Sequence, residues 1–580
     1  MTSQVTSHGF TLSEMITIAG LSNLEVISLS GNNLNNSMLS SLGGLSSLKS
    51  LYLRDIGLNG TVDVEDYRGL KKLNALSLWH GIETTDATIF LQSTLRLFPS
   101  LKTLDLSYNS FNRTMITREL HNLTTLEELI LDGSKLHISF LQTVATCTSL
   151  KHLSMIGCEL NGISEVQGPI NFKKLENLIM DETTFNNSFG QIIRPIATLK
   201  MLSLHNCGLN GTLYDQGFCE MVHLEELDIS YNALRDTLSP CLVNLISLQS
   251  LDISSNQITG NLSGLCEMVH LEELDISYNT LRDTLPPCLA NLTSLQSLDI
   301  SSNQITGNLS SSPLKDMTSL RVLRISDNLL QIPISLSPLY NLSKLKEFVS
   351  YSNPIYIETM PHSLTPKFQL NSISLSGYGY GATFPRFLYH QYDLHYVDLS
   401  DIKLNGEFPN WLIENNTKLG GLYLSNNSLS GPFLLPTHPH MNLSVLDISI
   451  NSFSGQIPIE VGAFFPSLWA LNISRNALNG SIPSSFGDMS LLEILDLSHN
   501  QLSDEIPEHF GDMSSLISLD LSHNQLSGEI PEHLNIGCLS LEYLVLSNNS
   551  LEGPVFSKII NLTNLVSLYL DSNNFIGKIL

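Results

Sequence analysis

The side chains that could do chemistry in this chain are histidines, aspartates, cysteines and a few clustered aromatics. The run THPHM, Thr437 to Met441, brings two imidazoles close together, but it lies in a proline-bearing loop with no third ligand at zinc spacing. His499 and His523 occupy equivalent places in neighbouring copies of one phrase and most simply repeat one another. There is no P-loop, no G-x-S-x-G, no H-E-x-x-H and none of the kinase signatures. The expectation is therefore a chain that is not an enzyme and that needs no cofactor and no metal.

The cysteines leave two readings open. Cys219 with Cys241, and Cys266 with Cys288, each stand 22 positions apart, so either a bridge between adjacent turns or four small buried side chains satisfies the spacing. Cys158 and Cys207, with Cys147 and Cys538, are expected to be buried thiols.

What positions these residues is a period. LQSLDISSNQITGNLS begins at Leu248 and again at Leu295. The pattern L-x-x-L-x-L-x-x-N recurs in steps of about 24 or 25, with inward apolar residues from Ile27, Leu51 and Leu76 through to Leu544 and Leu568. Each L-x-L alternates with period two and is a short strand with one face inward. Stacking such strands in parallel predicts an α/β-type leucine-rich repeat solenoid, a curved superhelical stack of about 23 turns. Residues 1–26 are expected to be an incomplete N-terminal flank, and 27–580 one continuous solenoid, less regular over 330–380 and truncated at the C-terminus. The chain has 580 residues and a formal charge of −26, which disfavours nucleic acid as a partner and favours basic partners. No stretch reads as a membrane span or secretory leader.

The asparagine closing each strand phrase should turn inward and satisfy backbone groups of adjacent turns. This ladder comprises Asn32, Asn109, Asn232, Asn256, Asn279, Asn303, Asn328, Asn427, Asn451, Asn476, Asn500, Asn524, Asn549 and Asn573. Asn-x-Ser/Thr sequons are dense, which points to a secreted history. They are Asn35, Asn59, Asn112, Asn122, Asn186, Asn210, Asn261, Asn291, Asn308, Asn341, Asn415, Asn426, Asn442, Asn472, Asn479, Asn548 and Asn561. Asn472 lies between two inward strand residues, so it is expected to carry no glycan unless ligand contacts lie elsewhere.

The phrase LxxLxLSxNxLxGxIP, as in SFSGQIPIEVG and QLSGEIPEHL, resembles the plant class of extracellular leucine-rich repeats. LSGNNLNNSMLSSLGGLSSLKSLYL and QIPISLSPLYNLSKLKEF resemble more closely the membrane-anchored receptor-like proteins that lack a kinase. The resemblance implies a non-catalytic ectodomain outside the plasma membrane. It further implies a peptide or protein ligand on the concave face and signalling through a co-receptor kinase, in defence or development. Membrane attachment would come only through an anchor that this sequence does not contain. The alternatives are a soluble polygalacturonase-inhibitor-like protein and a truncated receptor gene product without independent function.

Departures from the common wording mark candidate ligand contacts on the concave face. They are Tyr52, Arg54, Asp55, Trp79 and His80 in two adjacent turns, then Asp181, Glu182 and His205, and then Arg324, Tyr351, Tyr378 and Tyr380. The aspartate row Asp105, Asp228, Asp252, Asp275, Asp299, Asp398, Asp447, Asp496 and Asp520 is read either as a surface for a basic peptide or as solvated repeat wording.

Overall fold

The computed structural model describes residues 21–576 apart from 22, 33–40, 57–69, 81–97, 112–123, 162–169, 171, 185–195, 215–216, 239, 359–363, 379–380, 382 and 556–561. Two compact units result, residues 1–281 and 282–580. In the first, three-residue strands run from Val26–Ser28 to Glu273–Asp275, paired in parallel so that Ile27 meets Leu51, Leu51 meets Leu76, and Leu251 meets Leu274. In the second, the strands run from Ser297–Asp299 to Ser567–Tyr569, again equivalent residue to equivalent residue. Two strands there are longer, Glu347–Tyr356 and Ser372–Tyr378, and their pairing shifts register between Ser350 and Asn353.

The alternation places Leu251 with Ile253, and Leu519 with Leu521, in the core at no more than 1 % exposure. Each such side chain contributes about 1.5–3 kcal/mol through burial. Behind the strands the L-x-G-x-I-P exit supplies a proline that caps a short 3-10 turn, as Pro483 does for Ser484–Asp488 and Pro507 for Glu508–Asp512. A fully buried ring in each of these turns, Phe486 and Phe510, packs edge to face at 6.1 Å.

The asparagines join one turn to the next. Asn256 Nδ2 donates to the carbonyls of Ile229, Ile253 and Ser254, and its Oδ1 accepts the Leu234 amide. The same pattern recurs at Asn232, Asn279 and Asn328 and from Asn427 to Asn573. Asn32, Asn109 and Asn303 likewise donate to carbonyls of their own turn. Asn353 belongs to the ladder too, donating to the Ile325 carbonyl at 2.7 Å and accepting from Leu330 N; the sequence reading missed it. Cys158 and Cys207 fill the same slot with one donor each, Sγ to the carbonyls of Leu131 and Met180. Burial pushes both thiols up to about 12. Cys147 and Cys538 are also buried thiols outside any disulfide, while Cys266 and Cys288 are disulfide-bonded. The side chains of Cys219 and Cys241 lie outside the described residues.

The residue before the ladder position is left-handed in turn after turn, whatever its type. Tyr108 has φ 57°, Tyr231 53°, Asn426 51°, Ile450 53° and His499 53°. The bend turns the backbone out of the strand and leaves that side chain on the edge of the sheet face.

Candidate ligand-binding surface

The outward residues of the strands form the sheet face, and the aspartate row on it has a structural task. Each carboxylate accepts the amide of the serine two residues on, at 2.8–3.1 Å in the turns of Asp105, Asp252, Asp275, Asp447, Asp496 and Asp520. Asp228, Asp299 and Asp398 do the same. Asn472 stands in for aspartate, accepting from both the amide and hydroxyl of Ser474. The row thus fastens the strand exit, a role neither sequence reading had assigned. The cost is visible where carboxylates neighbour one another. Burial, followed by weaker repulsion from Asp275 and Asp228, raises Asp252, and burial with Asp496 and Asp398 raises Asp447.

Among the expected contact residues, the N-terminal group comes together. The Arg54 guanidinium lies 5.8 Å from the Tyr52 ring, donates from Nε to Ser77 Oγ at 3.3 Å and stands 3.7 Å from Asp105 Oδ2. Ser77 Oγ in turn donates to that carboxylate oxygen at 2.6 Å. One arginine therefore spans three turns, held but still half exposed. Beside it the Trp79 ring meets Tyr108 edge to face at 5.0 Å, and His80 pairs with Asp55 at 2.8 Å. Tyr108, 53 % exposed, lies over the next turn where Gly133 leaves room; a β-carbon there would come within 2.7 Å of the ring. Sequence reasoning missed Tyr108, because its own turn, L-D-L-S-Y-N, matches the common wording.

The second group joins only in part. Asp181 Oδ1 accepts from Ser203 Oγ and from the His205 amide, and the His205 ring bonds Ser230 Oγ and lies 4.8 Å from the Tyr231 ring, tilted by 55°. Glu182 takes the left-handed slot at φ 56° and is exposed. In the second unit Arg324 is paired with Glu347 through both Nε and Nη2, at 2.7 and 2.6 Å, which occupies it within the sheet. Tyr351 is exposed. Tyr380 and the side chain of Tyr378 lie outside the described residues.

Two further clusters sit on the second unit's face. Tyr396 and Tyr423 rings lie 5.3 Å apart across Gly421, whose missing β-carbon makes room for both. Burial, reinforced by Asp398, pushes the Tyr396 hydroxyl up to about 12. The His499 and His523 rings stack at 4.0 Å and 10°. Burial first, then the neighbouring His523 and Arg475, lowers the His499 pKa against the opposing pull of Asp520 and Asp496. Among the described residues no three metal-ligating side chains converge, and no helix is long and apolar enough to cross a membrane.

Sequons on the described residues differ in setting. Asn261, Asn291, Asn341, Asn426, Asn442 and Asn479 are exposed, whereas Asn210, Asn308, Asn415, Asn472 and Asn548 are half-buried. Asn35, Asn59, Asn112, Asn122, Asn186 and Asn561 lie outside the described residues.

Comparison with known proteins agrees with this geometry. A leucine-rich repeat region model matches residues 182–407, and further leucine-rich repeat models match 441–526, 100–123 and 540–562. Receptor-like protein 15 of Arabidopsis thaliana is 37 % identical over 217 residues, covering 37 % of this chain and 20 % of that protein. Cuscuta receptor 1 of Solanum lycopersicum is 33 % identical over 248 residues, 39 % of this chain and 18 % of the relative. The matched part thus spans about a fifth of the length of these curated relatives. Among solved structures, the Arabidopsis receptor kinase HAESA, in complex with the peptide hormone IDA and the co-receptor SERK1, is 26 % identical. It superposes with a TM-score of 0.57 over 96 % of this chain and 88 % of that one. The plant peptide hormone receptor RGFR1 in complex with RGF2 shares the fold at 24 % identity and a TM-score of 0.59, over 97 % and 88 % of the two chains. The chain belongs to the leucine-rich repeat proteins, and its relatives include the receptor-like proteins of plants.

Proposed function

We propose that this chain is the ligand-recognising, non-catalytic part of a plant receptor-like protein, displayed outside the plasma membrane. It binds a peptide or protein on the sheet face and signals through a co-receptor kinase. The observation that carries the reading is the Tyr52, Arg54, Trp79 and Tyr108 cluster: aromatic side chains and an arginine, partly exposed, converge on the sheet face. The names of the relatives, and the hormone and co-receptor seated on HAESA, support the same direction.

The test is a selection of random-sequence displayed peptides on the secreted, folded chain, followed by affinity measurements on variants. Trp79→Ala and Arg54→Ala should each weaken the selected peptides by tenfold or more, about 1.4 kcal/mol. Ile246→Ser, at an exposed residue in a connecting segment, should change nothing. Binders that ignore both sheet-face variants and respond to Ile246→Ser would overturn the proposal.

A further inference from the structure

A hollow of about 290 Å³ opens on the sheet face of the first unit. Its cause lies in one column of outward strand residues. Ile130 pairs with Ser154 and Ser154 with Ile179, so a small side chain stands between two large ones. The neighbouring column, Glu128, His152 and Asn177, forms one wall, and Asp132 closes the other side.

The two carboxylates are half committed. Asp132 Oδ1 accepts from Ser154 Oγ at 2.7 Å and from the Ile156 amide at 2.9 Å, and Glu128 Oε2 accepts from Thr103 Oγ1 at 3.0 Å. Among the described residues, the second oxygen of each accepts no hydrogen bond and neither carboxylate has an ion-pair partner. The nearby lysines are spent elsewhere: Lys102 and Lys151 both hold Glu127, at 2.8 and 3.2 Å.

An apolar floor with one carboxylate on either side, Glu128 beside His152 and Asn177 and Asp132 opposite, selects its occupant. A neutral aliphatic side chain would strip water from the carboxylates and return nothing, and an anion would be repelled. A metal ion would find too few ligands. A side chain with an alkyl stem and a terminal cation satisfies both surfaces, the stem lying on Ile130 and Ile179 and the charge reaching Glu128 and Asp132. The overall charge of −26 favours the approach of such a group.

We infer that this hollow receives one basic side chain, lysine or arginine, of the peptide or protein bound by the sheet face. The inference rests on the ligand-binding reading above and specifies the chemistry of its partner at residues 128–179.

The full chain is titrated, with saturation-transfer NMR as the readout, against Nα-acetyl-lysine amide, Nα-acetyl-arginine amide and the uncharged Nα-acetyl-norleucine amide. At least one basic probe should bind with a dissociation constant of about 1 mM, and norleucine at least about tenfold more weakly. Which basic probe binds more tightly identifies ammonium or guanidinium. Ser154→Leu fills the hollow, and Glu128→Gln combined with Asp132→Asn removes its charge; each should reduce binding about tenfold or more. Lys102→Ala, which leaves the hollow open and charged, should bind as the parent does. If Ser154→Leu fails to fold by circular dichroism, the charge variant carries the test alone. Equal binding of norleucine, no binding of either basic probe, or parental affinity in the charge variant overturns the inference. A selected peptide that needs Trp79 yet ignores the hollow's variants leaves the receptor reading intact and removes only this site.

Discussion

Asn500 is a suitable place to perturb the ladder, since each of its bonds can be followed. Its Oδ1 accepts the Leu478 amide at 3.1 Å, and its Nδ2 donates to the carbonyls of Ile473, Leu497 and Ser498 at 3.1–3.2 Å. In Asn500→Ala the three carbonyls each keep another donor: Asn476 Nδ2 at Ile473, Asn524 Nδ2 at Leu497 and the Arg475 amide at Ser498. Only the Leu478 N–H is left with no acceptor. An orphaned buried donor costs about 1–3 kcal/mol, and the lost carboxamide bonds add about 1 kcal/mol net, so the expected loss is about 2–4 kcal/mol. Asn500→Asp should cost more, because it sets a carboxylate against three carbonyl oxygens. Since each turn touches chiefly its neighbours, the loss should be local. Hydrogen exchange read by mass spectrometry should show faster exchange in peptides covering 470–505 and unchanged exchange over 320–345. A loss below about 0.5 kcal/mol, or an even loss across the unit, would refute the bond accounting.

Three other outcomes are expected. Ile450 is β-branched at φ 53° and 45 % exposed, where the preceding turn has Asn426 at 51°. Ile450→Asn should therefore raise unfolding free energy by about 1 kcal/mol in denaturant melts. Asp447 has a raised pKa, so its favourable contribution is full below the unfolded value and lost as pH rises through the folded one. Asp447→Asn, which copies the Asn472 bond to Ser474, should be neutral or mildly stabilising at pH 7, with the gain shrinking as the solution is acidified. Glycopeptide mapping of the secreted chain should find glycans at exposed Asn261, Asn291, Asn341 and Asn479 and none at Asn472, which stands half-buried in a strand of the sheet face.

Much of the scaffold was legible because one period encodes it: strand, inward leucine and ladder asparagine recur together, and each local choice agrees with the stack. Asn353 escaped because Ser350 stands where an inward aliphatic residue recurs and Tyr351 where a serine does, although its spacing from Phe348 was regular. The aspartates were read as surface charge because the pairing of aspartate with the amide two residues on is a property of the bend and leaves no periodic mark. The left-handed slot likewise accepts tyrosine, isoleucine, arginine or histidine, so no residue type announces it. Of the candidate contacts, Arg54 and Trp79 were visible as departures from the repeat. Tyr108 and the hollow around Ser154 were not, since they depend on what neighbouring turns omit: a side chain at Gly133, and bulk between Ile130 and Ile179. Arg324 looked available in sequence and is held by Glu347, a partner one turn away that only the register reveals.

The most direct measurement is an exchange footprint of the secreted chain with and without a saturating selected peptide. The account predicts slowed exchange in the sheet-face segments 50–55, 75–80 and 103–109, with the connecting segments between the strands unchanged. Slowing confined to those connecting segments, with the strand segments unaffected, would contradict it.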